Sequence, residues 1–339
     1  MRLIKTEDAV GHVLCHDMTQ IIKDKYKDAR FRKGHVVTEE DIPVLLSMGK
    51  EHLYVWEMTP GMVHENDAAE RLLALCGQEN MIRSGVKEGK IELKAACDGV
   101  FLVDSARLVA VNSQDEVMIA TRKGGMAVRE GDKLAGMRVI PLIIEEEKLR
   151  KAEQAAGDKP LLSLKPYVRK TACIVATGGE VKKGLIKDTF TPVVIDKLKT
   201  YGIETLEVVY SGDGVENVRD AVLTMREKKP DMILCTGGMS VDPDDNTPGG
   251  IKAAGANIIA YGAPVLPGAM FLLGYFDDGM PVMGLPGCVM YAGATVFDLV
   301  LPKIAADVPV TRADIAALGE GGLCLGCKPC HYPICPFGK

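Results

Sequence analysis

The 339-residue sequence predicts a multidomain α/β chain whose main unit is a three-layer domain built on a parallel sheet, over residues 168–310. Three observations carry this expectation. The length exceeds what one hydrophobic core usually fills, about 250–300 residues. From Thr171 onward, short apolar runs alternate with amphipathic runs, "ACIVATGG", "TPVVIDKLKTYG", "ETLEVVYSG", "VENVRDAVLTMREKK" and "DMILCTGG", which is the pattern of βαβ units with helices on both sheet faces. Two of the strands end in the same letters, Thr177-Gly178-Gly179 and Thr236-Gly237-Gly238, where an open α/β sheet binds its ligands.

In chain order, residues 1–60 form a small α/β region, in which "FRKGHVVTEEDIPVLLSMGKEHLYVWE" reads as a turn, a short helix and a strand ending near Trp56. "TPGMVHEND" reads as a linker. Residues 61–150 form a β-rich domain. Its one helix, "DAAERLLALCG", has Ala68, Ala69, Leu72, Leu73 and Cys76 at helical spacing and Gly77 as a stop. "VFLVDSARLVAVN", "EVMIATRK" and "GMRVIPLII" then read as β-like runs between polar turns. Residues 151–167 form a linker after a charged surface helix, broken by Pro160 and Pro166. In the main unit Pro192 suits a first helical turn and Gly202 a helix stop, and Asp213 with Glu216 has capping-box spacing. "IIAYG", "PVMGLPG" and "YAGATVFDLVLPKIAA" add two strands and a closing helix. Residues 311–339 are a cysteine-rich tail.

A net charge of -5 and a pI near 5.8 argue against a nucleic-acid binder, which carries a basic stripe. The start lacks a signal-length apolar run and no segment reaches about 18 uninterrupted apolar residues. A cytoplasmic chain with no membrane contact is therefore expected.

The loop "TGGMSVDPDDNTPGG" after Thr236 is too long for a connector. Its glycine pair lets backbone N–H groups approach a phosphate, and a helix start behind it adds dipole attraction. Ser240 and the carboxylates Asp242, Asp244 and Asp245 follow. Carboxylates beside a phosphate cradle make sense when Mg²⁺ bridges them, with Asp245 the first choice of ligand and an Asx-turn its structural alternative. Asp213 and Asp188 each read either as a helix cap or as a ligand at the sheet edge. Glu180 reads as a partner for a heterocycle or as a solvated surface residue.

Taken together, "TGGEV", "GLIKDTF", "SGDG", "GGMSVDPDDNTP", the Leu266-Pro267-Gly268 turn and "GLPGCV" with Pro286 and Gly287 resemble the molybdopterin-binding domain of molybdenum-cofactor biosynthesis proteins, over about residues 170–305. The resemblance implies that Gly237, Gly238, Ser240 and Asp245 bind the pterin phosphate and Mg²⁺. It extends the binding set to Thr236, Thr177, Gly178, Gly179, Glu180, Asp188, Pro267, Gly268, Pro286 and Gly287. It also implies self-association into a homo-oligomer. "AVGHVLCHDMT" and the segment from Gly34 to Val55 resemble parts of the molybdopterin molybdenumtransferases. That resemblance implies Mg²⁺-dependent exchange of adenylate for molybdate on adenylyl-molybdopterin, with Asp245, Asp242 and Asp213 as the catalytic carboxylates. The chain departs from those enzymes at three places. It lacks an "MDGYA"-like signature, it has Leu266 and Ala269 where lysines flank the proline-glycine turn, and it has Cys288 where asparagine is usual. A cofactor carrier or sensor that docks on a molybdoenzyme is the alternative from a different class. A nucleotide pyrophosphatase is a third reading, because related domains occur beside that activity in competence-damage proteins.

Of ten cysteines, six are scattered and read as small hydrophobes. The other four run Cys324-x2-Cys327-x2-Cys330-x4-Cys335-Pro336, close to the spacing of an iron–sulfur run but with one extra residue before the last cysteine. They are expected to hold a metal, zinc or an iron–sulfur cluster. His331 reads as exposed.

Overall fold

The computed structural model describes residues 2–22, 26–55, 60–179, 185, 187–240 and 245–339. The chain divides into two compact units, one of residues 1–96, 103–124 and 131–163, the other of 97–102, 125–130 and 164–339.

In the first unit, the N-terminal part pairs strand Arg2–Lys5 antiparallel with His52–Val55, and Met18–Ile22 with Tyr26–Phe31. Leu14, Met18, Phe31, Leu45 and Leu53 form its core. Trp56 lies outside the described residues. The expected linker before Asp67 is instead a strand, Met62–His64, paired with Ile143–Glu145. His64 then starts helix Glu65–Leu75 by accepting from Asn66 N. As expected, this helix buries Ala68, Ala69, Leu72 and Leu73. A four-stranded antiparallel sheet follows in the order Met81–Arg83, Ile91–Ala95, Lys133–Val139, Val117–Thr121.

Two segments differ from expectation. "VFLVDSARLVAVN" is a strand, Gly99–Val103, and then a helix, Ser105–Asn112. Asp104 converts one into the other, because its carboxylate accepts from Arg107 N and caps the helix. The cap outweighs the strand preference of the β-branched Val109 and Val111. Residues 151–167 hold the rest of helix Glu146–Ala156, which buries Leu149, Ala152 and Ala156, and strand Leu162–Pro166.

The second unit carries a six-stranded sheet. Its elements are β1 Thr171–Thr177, α1 Phe190–Lys199, β2 Glu204–Ser211, α2 Val215–Glu227, β3 Met232–Thr236, α3 Thr247–Ala253, β4 Asn257–Tyr261, β5 Leu272–Tyr275, β6 Pro281–Leu285, α4 Val296–Ala305 and α5 Arg312–Ala317. The order across the sheet is β2-β1-β3-β6-β5-β4. The first four strands run parallel, and β5 and β4 join antiparallel. The sheet is therefore mixed rather than wholly parallel, and β5 was not foreseen.

Both faces of the sheet are covered, which is why its central strands are apolar at successive positions rather than alternate ones. Ala172, Ile174, Leu234 and Met283 pack with Val194, Leu198 and Phe297 on one face. Cys173, Val175, Ile233 and Cys235 pack with Val218, Val222 and Ile251 on the other. Each such buried aliphatic side chain contributes about 1.5–3 kcal/mol. Burial pushes the Cys235 thiol up to about 12, so it packs as a hydrophobe. Among the described residues no helix is long and apolar enough to cross a membrane.

Candidate pterin-binding site

The register of the parallel strands brings four loops level at one edge. Thr177 lies opposite Ser211, Ala176 opposite Thr236, and Thr236 opposite Leu285. The loops leaving these strands carry most of the expected binding residues. Gly237, Gly238, Met239, Ser240, Asp245, Met270, Pro286 and Gly287 line a cavity of about 220 Å³.

The glycine pair is required by geometry. Gly237 and Gly238 have φ of +83° and +57°, a region costly for residues with a Cβ. A Cβ on Gly237 would lie 2.5 Å from Thr177 O, and one on Gly238 2.5 Å from Thr247 Oγ1. Beneath them, Thr177 Oγ1 donates to Thr236 O at 3.0 Å and Thr247 Oγ1 donates to Gly237 O at 2.9 Å. Thr177 and Thr236 are buried in their strands, so they support the loop rather than line the cavity. Asp245 closes the loop by accepting from Ser240 N at 2.7 Å.

The remaining expected residues divide. Asp213 accepts from Gly179 N at 2.9 Å, tying the loop after β1 to the loop after β2. It does not cap α2, which starts at Gly214 without a side-chain cap, so the capping-box reading fails because this carboxylate binds the loop after β1 instead. Asp188 accepts from Phe190 N at 2.9 Å and Thr191 N at 3.0 Å, and Tyr210 OH donates to its other oxygen at 3.2 Å. Partial burial opposes its ionisation, but these donors outweigh burial and hold its carboxyl below the usual aspartate value. It is the anchor of α1. Gly178 has φ of +136°. Gly268 lies against α4, where a Cβ would sit 2.5 Å from Val296 Cγ1. Pro267 lines a separate cavity with Cys324, Cys327, Cys330 and Cys335. Glu180 and Asp242 lie outside the described residues.

Met239, Met270 and Thr247 were missed. Both methionines stand beside glycine turns already singled out, but nothing local shows that they face the same cavity, and nothing local shows that Thr247, which precedes a helix-starting proline, supports the glycine loop from beneath.

Among the described residues, no three His, Cys, Asp or Glu side chains form a ready-made site for a metal ion. Mg²⁺ does not need one, since it keeps several waters and takes one or two carboxylates plus substrate phosphates. Asp245, the one carboxylate among the described lining residues, fits that demand. No lysine or arginine is among them.

Residues 173–306 match the family model described as "Probable molybdopterin binding domain", and residues 3–57 match a domain of unknown function (DUF8806). A CinA-like protein of Mycobacterium tuberculosis is 33% identical over 76 residues, which is 22% of this chain and 18% of that relative's length. The chain thus spans about a fifth of the curated relatives it matches. Among solved structures, the molybdopterin biosynthesis Mog protein of Mycobacterium ulcerans is 21% identical with a TM-score of 0.35, covering 42% of this chain and 95% of that one. A molybdenum cofactor biosynthesis protein of Pyrococcus furiosus is 13% identical with a TM-score of 0.27, covering 93% of this chain and 64% of that one. The family model carries the assignment: residues 173–306 form a probable molybdopterin-binding domain.

Proposed function

We propose that the chain binds adenylyl-molybdopterin at the cavity behind β3 and inserts molybdate by displacing adenylate. The observation that supports this most is the conjunction of a glycine cradle, which exposes backbone N–H groups to a phosphate, with Asp245 at its rim. Gly237, Gly238 and Ser240 would hold phosphate oxygens. Mg²⁺, when bound at Asp245, would neutralise charge on the phosphates that flank the breaking bond. Asp213 acts in this reading through Gly179, by fixing the neighbouring loop, and no protein nucleophile is required. The helices on both faces of the sheet support a three-layer scaffold, and the family resemblance supports a self-associating chain.

A second reading, a cofactor carrier or sensor that docks on a molybdoenzyme, is favoured by the absence of cations among the described lining residues. Loss of cationic contacts to a transferring oxyanion costs orders of magnitude in rate.

Purified protein with Mg²⁺ and adenylyl-molybdopterin, with and without molybdate, separates the two. Molybdate-dependent AMP release that falls about 100-fold or more in Asp245→Ala is the expected result. Tight binding of the pterin with no AMP released would leave the carrier. Turnover of a plain dinucleotide without molybdate would indicate a pyrophosphatase.

A further inference from the structure

The C-terminal segment is built onto the second unit. Leu266 N donates to Gly322 O and Cys324 N donates to Leu266 O, both at 2.8 Å. Tyr332 OH donates to Asp298 O at 3.0 Å, and Phe337 is buried, with its ring edge-on to Tyr332. Anchored at these points, the segment folds over a cavity of about 350 Å³ that all four cysteines line. One wall comes from Gly293, where a Cβ would lie 2.8 Å from Cys330 Sγ.

We propose that this cavity seats one four-iron, four-sulfur cluster, with Cys324, Cys327, Cys330 and Cys335 each ligating one iron. The inference is independent of the pterin reading. In two-cluster ferredoxins the fourth cysteine of such a run ligates a second cluster, whereas here Cys335 lines the same cavity as the other three. A single zinc ion requires its thiolates to converge on one point at about 2.3 Å each. A cluster instead presents a different iron to each thiolate, so its ligands stand around a shared space, as the four cysteines stand around this cavity. The rest of the lining is largely apolar, with Pro267, Tyr291, Pro336 and Phe337 contributing, which is the low-polarity surround that tunes a cluster's potential. The loops that wall this cavity at Pro267 and Tyr291 are the ones that carry Met270 and Gly287 into the pterin cavity. The two sites are neighbours.

The test is to purify the full chain without oxygen, reconstitute it with ferrous iron and sulfide, and measure iron, acid-labile sulfide and zinc per chain. About four irons and four sulfides per chain are expected. In Cys327→Ser/Cys330→Ser, whose substituted positions are exposed, both should fall about tenfold or more. Circular dichroism verifies that this variant is folded, and Cys97→Ser, altered outside the cavity, should keep full content. One zinc per chain without sulfide, a pair of disulfides that excludes metal, or retention of the cluster by the folded double variant would each overturn the proposal.

Discussion

Asp231, at the turn into β3, accepts from Lys170 N at 2.7 Å and from Thr171 N and Thr171 Oγ1 at 2.9 Å. It thereby fixes the start of β1 beside that of β3. Partial burial opposes its charge, but these donors, with Arg169 nearby, hold its carboxyl below the ordinary 3.8. Its stabilising contribution is therefore present above pH 3.8 and is lost as pH falls from there through the depressed folded value. Asp231→Asn is expected to lower stability by about 1 kcal/mol near neutral pH, a figure reduced for solvent screening. The gap to the wild type should close in strong acid. Urea midpoints of both proteins near neutrality and near pH 3 measure this, and a gap independent of pH would count against it. Asp213 and Asp188 likewise bind backbone N–H groups. The local role of Asp188 was legible two residues away, whereas Asp213 and Asp231 bind partners about 34 and 60 positions distant, and no spacing rule reaches that far.

One side chain both caps helix α4 and ties it to α1. Asp298 completes a capping box with Thr295, accepting from Thr295 N at 2.7 Å, and its other oxygen accepts from Lys197 Nζ on α1. Both members of the ion pair are mostly buried. Removing one partner leaves an uncompensated buried charge as well as an open helix end, so Asp298→Ala should cost about 3 kcal/mol. Chemical denaturation checks this, and a loss below about 1 kcal/mol would show that Lys197 finds another partner or solvent. The helices of this unit were legible because local chemistry marks their ends: Pro192 in the first turn of α1, a positive φ at Gly202 after it, and amphipathic spacing throughout. β5 and the helix after Asp104 were not, since an apolar run such as "FLLGYF" has no period to read. Tertiary pairing with β6 makes β5 a strand. The glycine loops of the candidate site were legible for a different reason, because a close approach that excludes a Cβ leaves glycine as the only residue. What the loops enclose, Met239 and Met270 above all, depends on strand order and was not.

At the scale of the molecule, the chain does not finish one unit before starting the other. Residues 97–102 and 125–130 leave the first unit to enter the second, and strand Gly99–Val103 pairs there with Met126–Val128. Sequence composition divided the chain into consecutive stretches, 1–60, 61–150, 151–167, 168–310 and 311–339, since strands lent from one unit to another carry no compositional mark. This connectivity has a thermodynamic consequence. Unfolding the first unit releases the tethers that hold Val100 and Phe101, both fully buried, and unfolding the second frees strands whose chain continues into the first. The two units are therefore expected to melt with coupled transitions. A ligand that binds only the folded second unit should then stabilise both. Molybdopterin at about 100 times its Kd adds about 2.7 kcal/mol to the state that binds it. Scanning calorimetry with and without the pterin should show the whole transition moving upward by several degrees. If only part of the heat absorption moved while the rest stayed in place, the lent strands would contribute too little to link the units, and each would be an independent folding domain.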